Sequence, residues 1–194
     1  MTYDLIAVGG GFAGMVAAVH AAELGLRAAV VERGTGEHYM CNSRVSTGVT
    51  HIAFLHPDTP EDKLYDQIQN FAAGTAREDL ARSVAANGAR TLAWLSEHGA
   101  EFGDAPHRYL GPPMLVPSRE IRAGLDWENS GPNLFLKKLR GHLEAASGTM
   151  LTGTEAVSLV MEDGACTGLD VVGPSGAERL AARAVVLADG GFQA

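Results

Sequence analysis

Tyr3-Asp4-Leu5-Ile6-Ala7-Val8-Gly9-Gly10-Gly11-Phe12-Ala13-Gly14 decides the reading of this chain. Residues 3–8 form a short apolar run of the kind found in a buried parallel strand. Residues 14–24 (GMVAAVHAAEL) are alanine-rich and strongly helix-forming, and Gly25 is placed to end the helix at C′. Residues 28–31 make a second apolar run, closed by Glu32. The whole is a β-α-β unit of about 30 residues with a G-x-G-x-x-G at its first turn. Gly9 allows the tight turn, Gly11 lets the backbone approach a pyrophosphate, and Gly14 lets helix pack on strand. The helix N-terminus offers N–H groups and partial positive charge to phosphates. Glu32 lies 18 residues beyond Gly14, where a carboxylate accepts hydrogen bonds from a ribose diol.

Composition agrees with a globular binder of small molecules. The chain has 194 residues, 46% of them hydrophobic, and 24 glycines without a collagen-like period. That length can bury a sizeable core and usually means one domain. A net charge of −8 argues against a nucleic-acid partner and against an anionic membrane surface. Cys41 and Cys166 are far apart and in no metal-ligand spacing, so no metal site or disulfide framework is predicted. Residues 5–19 are too short and too glycine-rich to span a bilayer. The expected setting is cytoplasmic.

Along the chain, residues 35–56 read as a functional loop with one helical turn. Thr59-Pro60-Glu61-Asp62 reads as a helix start, with Thr59 at the N-cap and Pro60 at N1, running to about Ala73. Residues 78–87 and 89–98 read as two helical pieces separated by Gly88. Residues 102–131 are rich in Pro and Gly. A helix starts at Gly131-Pro132, its leucines at 134, 136, 139 and 143 on one face. Short β-type runs follow at 150–151, 155–161, 167–172 and 184–187, with turn signals at Asp163-Gly164 and Pro174-Ser175-Gly176. The expected fold class is α/β: a Rossmann-like parallel sheet flanked by helices, plus a small antiparallel β meander.

Two further stretches bear on chemistry. Cys41-Asn42-Ser43-Arg44-Val45-Ser46-Thr47-Gly48 carries small polar side chains that could let a flat ring system lie against backbone. Val185-Val186-Leu187-Ala188-Asp189-Gly190-Gly191-Phe192 ends a strand in Gly-Gly, which permits close approach at the carboxyl edge of a sheet. Taken alone, each reads as readily as a plain polar loop or turn.

Together, YDLIAVGGGFAGMVAA, VVERG, CNSRVSTGVTHIA, TEAVSLVMEDGACTGLDVV and AVVLADGGFQA resemble the FAD-binding domain of the fumarate reductase/succinate dehydrogenase flavoprotein family, its soluble branch above all. The resemblance covers nearly the whole chain. It implies that Gly9, Gly11, Phe12, Ala13 and Gly14 hold the FAD pyrophosphate, and that Glu32 binds the adenosine ribose with Arg33 beside it. It implies that Asn42, Ser43, Ser46, Thr47 and Gly48 line the isoalloxazine. Ala156 and Val157 match the strand whose backbone meets the adenine. Ala188, Asp189 and Gly190 match a turn near the nucleotide, with Asp189 in place of the common Thr. Asn42-Ser43-Arg44 offers no His for a covalent flavin link, so FAD is expected to be non-covalent.

The resemblance also implies hydride transfer at a C–C bond next to a carbonyl or carboxylate. Residues 1–194 match the N-terminal portion of the domain; the capping domain, the C-terminal FAD segment and the catalytic Arg lie further along in the family. No catalytic set is assigned. The expectation is little flavin colour and no turnover by this chain alone, with a carboxylate or ketone as substrate of the whole. The alternatives are an NAD(P)-binding module of another enzyme class, or an incomplete fragment that needs a partner chain. His51, His56, His98 and His107 share no ligand spacing and read as surface or hydrogen-bonded residues. Cys41 reads as a small buried residue, Lys137-Lys138-Leu139-Arg140 as a solvated helix face, and Trp94 and Trp127 as packing groups.

Overall fold

A computed structural model describes residues 2–104, 113–119 and 127–191. His107 and Phe192 lie outside the described residues. In chain order the elements are β1 (Thr2–Tyr3), β2 (Leu5–Val8), α1 (Phe12–Glu23), β3 (Ala28–Glu32), α2 (Asn42–Val45), α3 (Glu61–Phe71), α4 (Glu78–Glu97), β4 (Phe102–Asp104), β5 (Pro113–Leu115), α5 (Gly131–Ala145), β6 (Thr149–Thr152), β7 (Glu155–Glu162), β8 (Ala165–Gly173), β9 (Gly176–Ala182) and β10 (Val185–Leu187). The chain divides into two units, residues 1–45 with 136–194, and residues 46–135. No helix among the described residues is long and apolar enough to cross a membrane.

The first unit is built on a parallel sheet in the order β10-β2-β3-β6. Its register sets Ile6 beside Val185 and Ala29, and Val31 beside Leu151. α1 contacts β2, β3 and β10. The other face carries Ile6, Ala29 and Val31, which pack against Leu169, Val171 and Ala182 of a second sheet in the order β1-β9-β8-β7. β3 is buried along its whole length, as a strand covered on both faces must be, which explains its unbroken apolar run. Each large aliphatic side chain in that interlayer contributes about 1.5–3 kcal/mol relative to exposure.

The predicted strand over residues 3–8 is two strands in two sheets. Asp4 marks the break. Its carboxylate accepts the Arg27 N–H at 2.9 Å and an Arg183 guanidinium N–H at 3.1 Å, and these two, the Arg27 N–H foremost, hold the carboxyl below its usual pKa range. α1 starts at Phe12, two residues before the predicted start, and ends as expected. Gly25 takes φ +80°, its N–H donates to the Ala22 carbonyl at 2.9 Å, and the Leu26 N–H reaches the Ala21 carbonyl at 3.1 Å, a Schellman closure. The single helical turn predicted in residues 35–56 is α2. β9, whose first four residues are exposed, escaped the sequence reading because it has no apolar run.

The second unit holds α3 packed on α4 through Leu64, and the antiparallel pair β4–β5. Pro60 occupies the N-cap of α3, so Thr59 lies one residue outside its predicted place. α4 is one continuous helix, not two pieces. Gly88 does not break it; a Cβ there would strike the Pro57 carbonyl oxygen and lie 2.8 Å from Ile52 Cδ1. The glycine serves a close approach. Gly88→Ala should therefore destabilise by about 1–3 kcal/mol in a thermal melt, although alanine is the better helix former by about 1 kcal/mol.

Candidate functional site

Three parallel strands deliver their carboxyl ends to one edge of the sheet, where α/β proteins bind ligands. β2 ends at Val8, and the Gly9 N–H extends the ladder to the Val31 carbonyl at 2.8 Å. β10 ends beside it, with the Ala188 N–H on the Val8 carbonyl at 2.9 Å. Gly9 takes φ +104°, and a Cβ on it would strike the Ala188 carbonyl oxygen. A Cβ on Gly14 would strike the Gly9 carbonyl oxygen. Both glycines are thus required by contact, and Gly9 by its conformation as well.

Gly11 is the N-cap of α1, and the first intrahelical bond is Met15 N–H to Gly11 C=O at 3.0 Å. The Ala13 and Gly14 N–H groups precede that bond and have no helical acceptor. The Phe12 N–H donates to Ser43 Oγ at 3.0 Å. Ser43 therefore ties α2 to the start of α1.

Glu32 is only 7% exposed at the end of β3. Its Oε2 accepts the Gly10 N–H at 2.8 Å and its Oε1 the Gly34 N–H at 2.7 Å. Each oxygen keeps a further lone pair for a hydroxyl. The Glu32 carbonyl accepts the Thr154 N–H at 2.9 Å, which brings the start of β7 alongside.

Two residues that the sequence reading passed over complete the frame. The Tyr39 hydroxyl donates to the Gly10 carbonyl at 2.6 Å, and burial pushes the phenol pKa up to about 12. Arg44, 2% exposed, donates from Nε to the Tyr39 carbonyl at 2.9 Å, and its guanidinium lies 4.8 Å from the centre of the Tyr39 ring. Tyr39 lies outside every stretch quoted above, and Arg44, though within Cys41–Gly48, was given no role there.

These elements enclose a cleft of about 530 Å3. Of the predicted residues, Gly9, Gly11, Phe12 and Ala13 line it at the glycine turn. Glu32, Arg33, Asn42 and Ser43 line it from β3 and α2, and Ala156, Ala188, Asp189 and Gly190 from the far side. Gly14 lies behind the turn, as a packing glycine should. Val157 is 62% exposed and sits at an irregularity in the β7–β8 register, outside the lining. Ser46, Thr47 and Gly48 belong to the second unit, where Gly48 takes φ +80° and its carbonyl accepts the Leu115 N–H at 3.0 Å. Met40, Cys41, Val45, Thr154 and Glu155 also line the cleft and were not among the predicted binding residues. Burial pushes the Cys41 thiol pKa up, so it faces the cleft as a thiol at neutral pH.

The tempting histidines carry local backbone bonds. His51 Nδ1 accepts the Phe54 N–H at 3.1 Å, and His56 Nδ1 accepts the Asp58 N–H at 3.3 Å. His98 Nδ1 lies 2.7 Å from the Trp94 carbonyl, and its ring stacks on Trp94 at 3.6 Å. Trp127 is buried.

The chain is similar to known flavoproteins along nearly its full length. It is 27% identical to the L-aspartate oxidase of Mycobacterium tuberculosis over 97% of the chain and 35% of that protein. It therefore spans about a third of that relative's length. It shares its fold with the 3-ketosteroid Δ1-dehydrogenase of Sterolibacterium denitrificans (TM-score 0.79, 18% identity, 98% of this chain and 48% of that one). It shares it also with the open form of a flavocytochrome c3 fumarate reductase (TM-score 0.77, 20% identity, 98% of this chain and 34% of that one). A family described as FAD binding domain matches residues 4–194, a span that takes in every element of the cleft, and the chain belongs to that family.

Proposed function

We propose that the cleft holds FAD non-covalently and that residues 1–194 form the N-terminal portion of the FAD-binding domain of an oxidoreductase acting at a C–C bond beside a carbonyl or carboxylate. The observation that carries this is the glycine cradle: a Cβ at Gly9 or Gly14 would meet backbone, so the turn closes tightly under the N-terminus of α1. A diphosphate seated there meets the N–H groups of the first turn and the positive end of the helix. Glu32 accepts the ribose hydroxyls on the lone pairs its two backbone bonds leave, and Arg33 adds a positive charge at the rim. Ala156 approaches the adenine through backbone. Asn42 and Ser43 face the isoalloxazine, and Ala188, Asp189 and Gly190 close the far side. Bound FAD supplies hydride transfer to or from an organic substrate.

No residue of 1–194 is assigned to binding a carboxylate or ketone substrate or to donating its proton. Two isolated, free cysteines and the acidic charge support a reducing, cytoplasmic setting. The chain should purify with little flavin colour, and FAD titrated in excess should then saturate one weak site with quenching of flavin fluorescence. Denaturation in acid should release all of it to the supernatant, and bound FAD should protect Cys41 from alkylation. Failure to saturate, or flavin left in the pellet, would overturn the reading. So would dehydrogenase turnover by this chain alone, as regards its catalytic incompleteness.

A further inference from the structure

Three successive glycines give the turn its closeness and leave it loose. A peptide unit between two glycines flips at little steric cost, because glycine populates both signs of φ. Flipping the Gly10–Gly11 peptide would exchange an N–H for a carbonyl oxygen at the site of a phosphate. Something must hold it.

Tyr39 stands behind this peptide. It is not among the residues lining the cleft; with Arg44, Lys137 and Arg140 it lines a separate depression of about 430 Å3. Its ring and hydroxyl are what a side chain at Gly10 would strike, with Tyr39 Oη 2.7 Å from the added Cβ, and its Cβ lies 2.5 Å from one on Gly34. Its hydroxyl donates to the Gly10 carbonyl at 2.6 Å. A trans peptide points its C=O and N–H in opposite directions. The carbonyl held toward Tyr39 therefore turns the Gly11 N–H away from Tyr39, to the cleft side.

The geometry points to Tyr39 as a positioning residue for the pyrophosphate: its hydroxyl locks the Gly10–Gly11 peptide so that the Gly11 N–H donates into the cleft. Arg44 fixes the ring in turn, through the Tyr39 carbonyl and the ring face. The Glu32 carboxylate holds the other side of the same residue, through the Gly10 N–H. The raised phenol pKa keeps the group an O–H donor across the ordinary pH range. The gain is pre-organisation: the donor is aimed before the ligand arrives.

This rests on the FAD reading of the cleft, and the test separates the two. ADP and adenosine compete against FAD for the wild type and for Tyr39→Phe, which keeps the ring. The variant should bind ADP about five- to tenfold more weakly, the worth of one hydrogen bond, and adenosine equally well. Equal losses for both ligands, or a lowered melting temperature with ADP affinity intact, would make Tyr39 merely structural and overturn the proposal. In the wild type, the Gly11 amide resonance should move on adding ADP and stay in place with adenosine. That measurement needs no variant, and an unmoved Gly11 amide overturns the proposal even should Tyr39→Phe fail to fold. A wild type that binds neither FAD nor ADP would instead overturn the cofactor reading and this one with it.

Discussion

Gly14→Ala should abolish useful FAD binding and lower the melting temperature more than any other single methyl added to α1. The added Cβ would meet the Gly9 carbonyl oxygen, which is backbone and cannot swing aside. Gly9 itself is tied by its N–H to Val31 and pressed against the Ala188 carbonyl. Relief requires α1 to slide off the sheet, and overpacking of this kind costs about 3 kcal/mol or more when backbone must move. A loss of that size at the phosphate end corresponds to about a hundredfold weaker FAD. Gly141→Ala is the matched control: it lies in α5 with nothing within 4 Å of the new methyl. It should be neutral, or stabilising by up to about 1 kcal/mol from helix propensity. Melts of both variants with and without FAD check this; a Gly14→Ala chain that melts and binds like the wild type would remove the packing argument.

Glu32→Gln should cost nearly as much in affinity while keeping volume. The carboxylate accepts two backbone N–H groups, one on each oxygen. An amide has only one acceptor oxygen, so either the Gly10 or the Gly34 N–H would face an NH2 group. The lost charge-assisted bond and the buried orphan donor together cost about 2–3 kcal/mol. Because Gly10 is the middle of the glycine turn, its release should loosen the phosphate site, and the lost anion should weaken the ribose contact. FAD affinity should fall by a factor of ten or more, read by titration; an unchanged affinity would show that Glu32 only braces the backbone.

What the sequence disclosed and what it hid follow from how locally each feature is determined. The β-α-β unit was legible because Gly14 answers to Gly9, Gly25 to the end of its own helix, and Glu32 to Gly10 and Gly34, all within that unit or at its edge. α4 was misread because Gly88 answers to Pro57, across a tertiary contact that helix propensity does not register. β9 was invisible because its exposed residues, Gly176 to Arg179, show no alternation, and its identity as a strand comes from pairing with β8. The cleft residues named from motifs fall largely where they should. Tyr39 and Arg44 do not declare themselves because their partners are main-chain carbonyls, which every residue possesses.

The break at Asp4 has a consequence for assembly on the ribosome. β1 pairs with β9, and β2 lies between β3 and β10, so β1 enters its sheet and β2 gains its second neighbour only through residues 181–187. Asp4 and Arg183, which meet at 3.1 Å, are 179 residues apart in the chain. At ordinary translation speeds the earliest strands wait on the order of ten seconds or more for these partners to be made. Until then the unbroken apolar backbone of β2 and β3 has one edge without its mate, and a nascent chain of this protein is a natural client for whatever shields such edges in the cell.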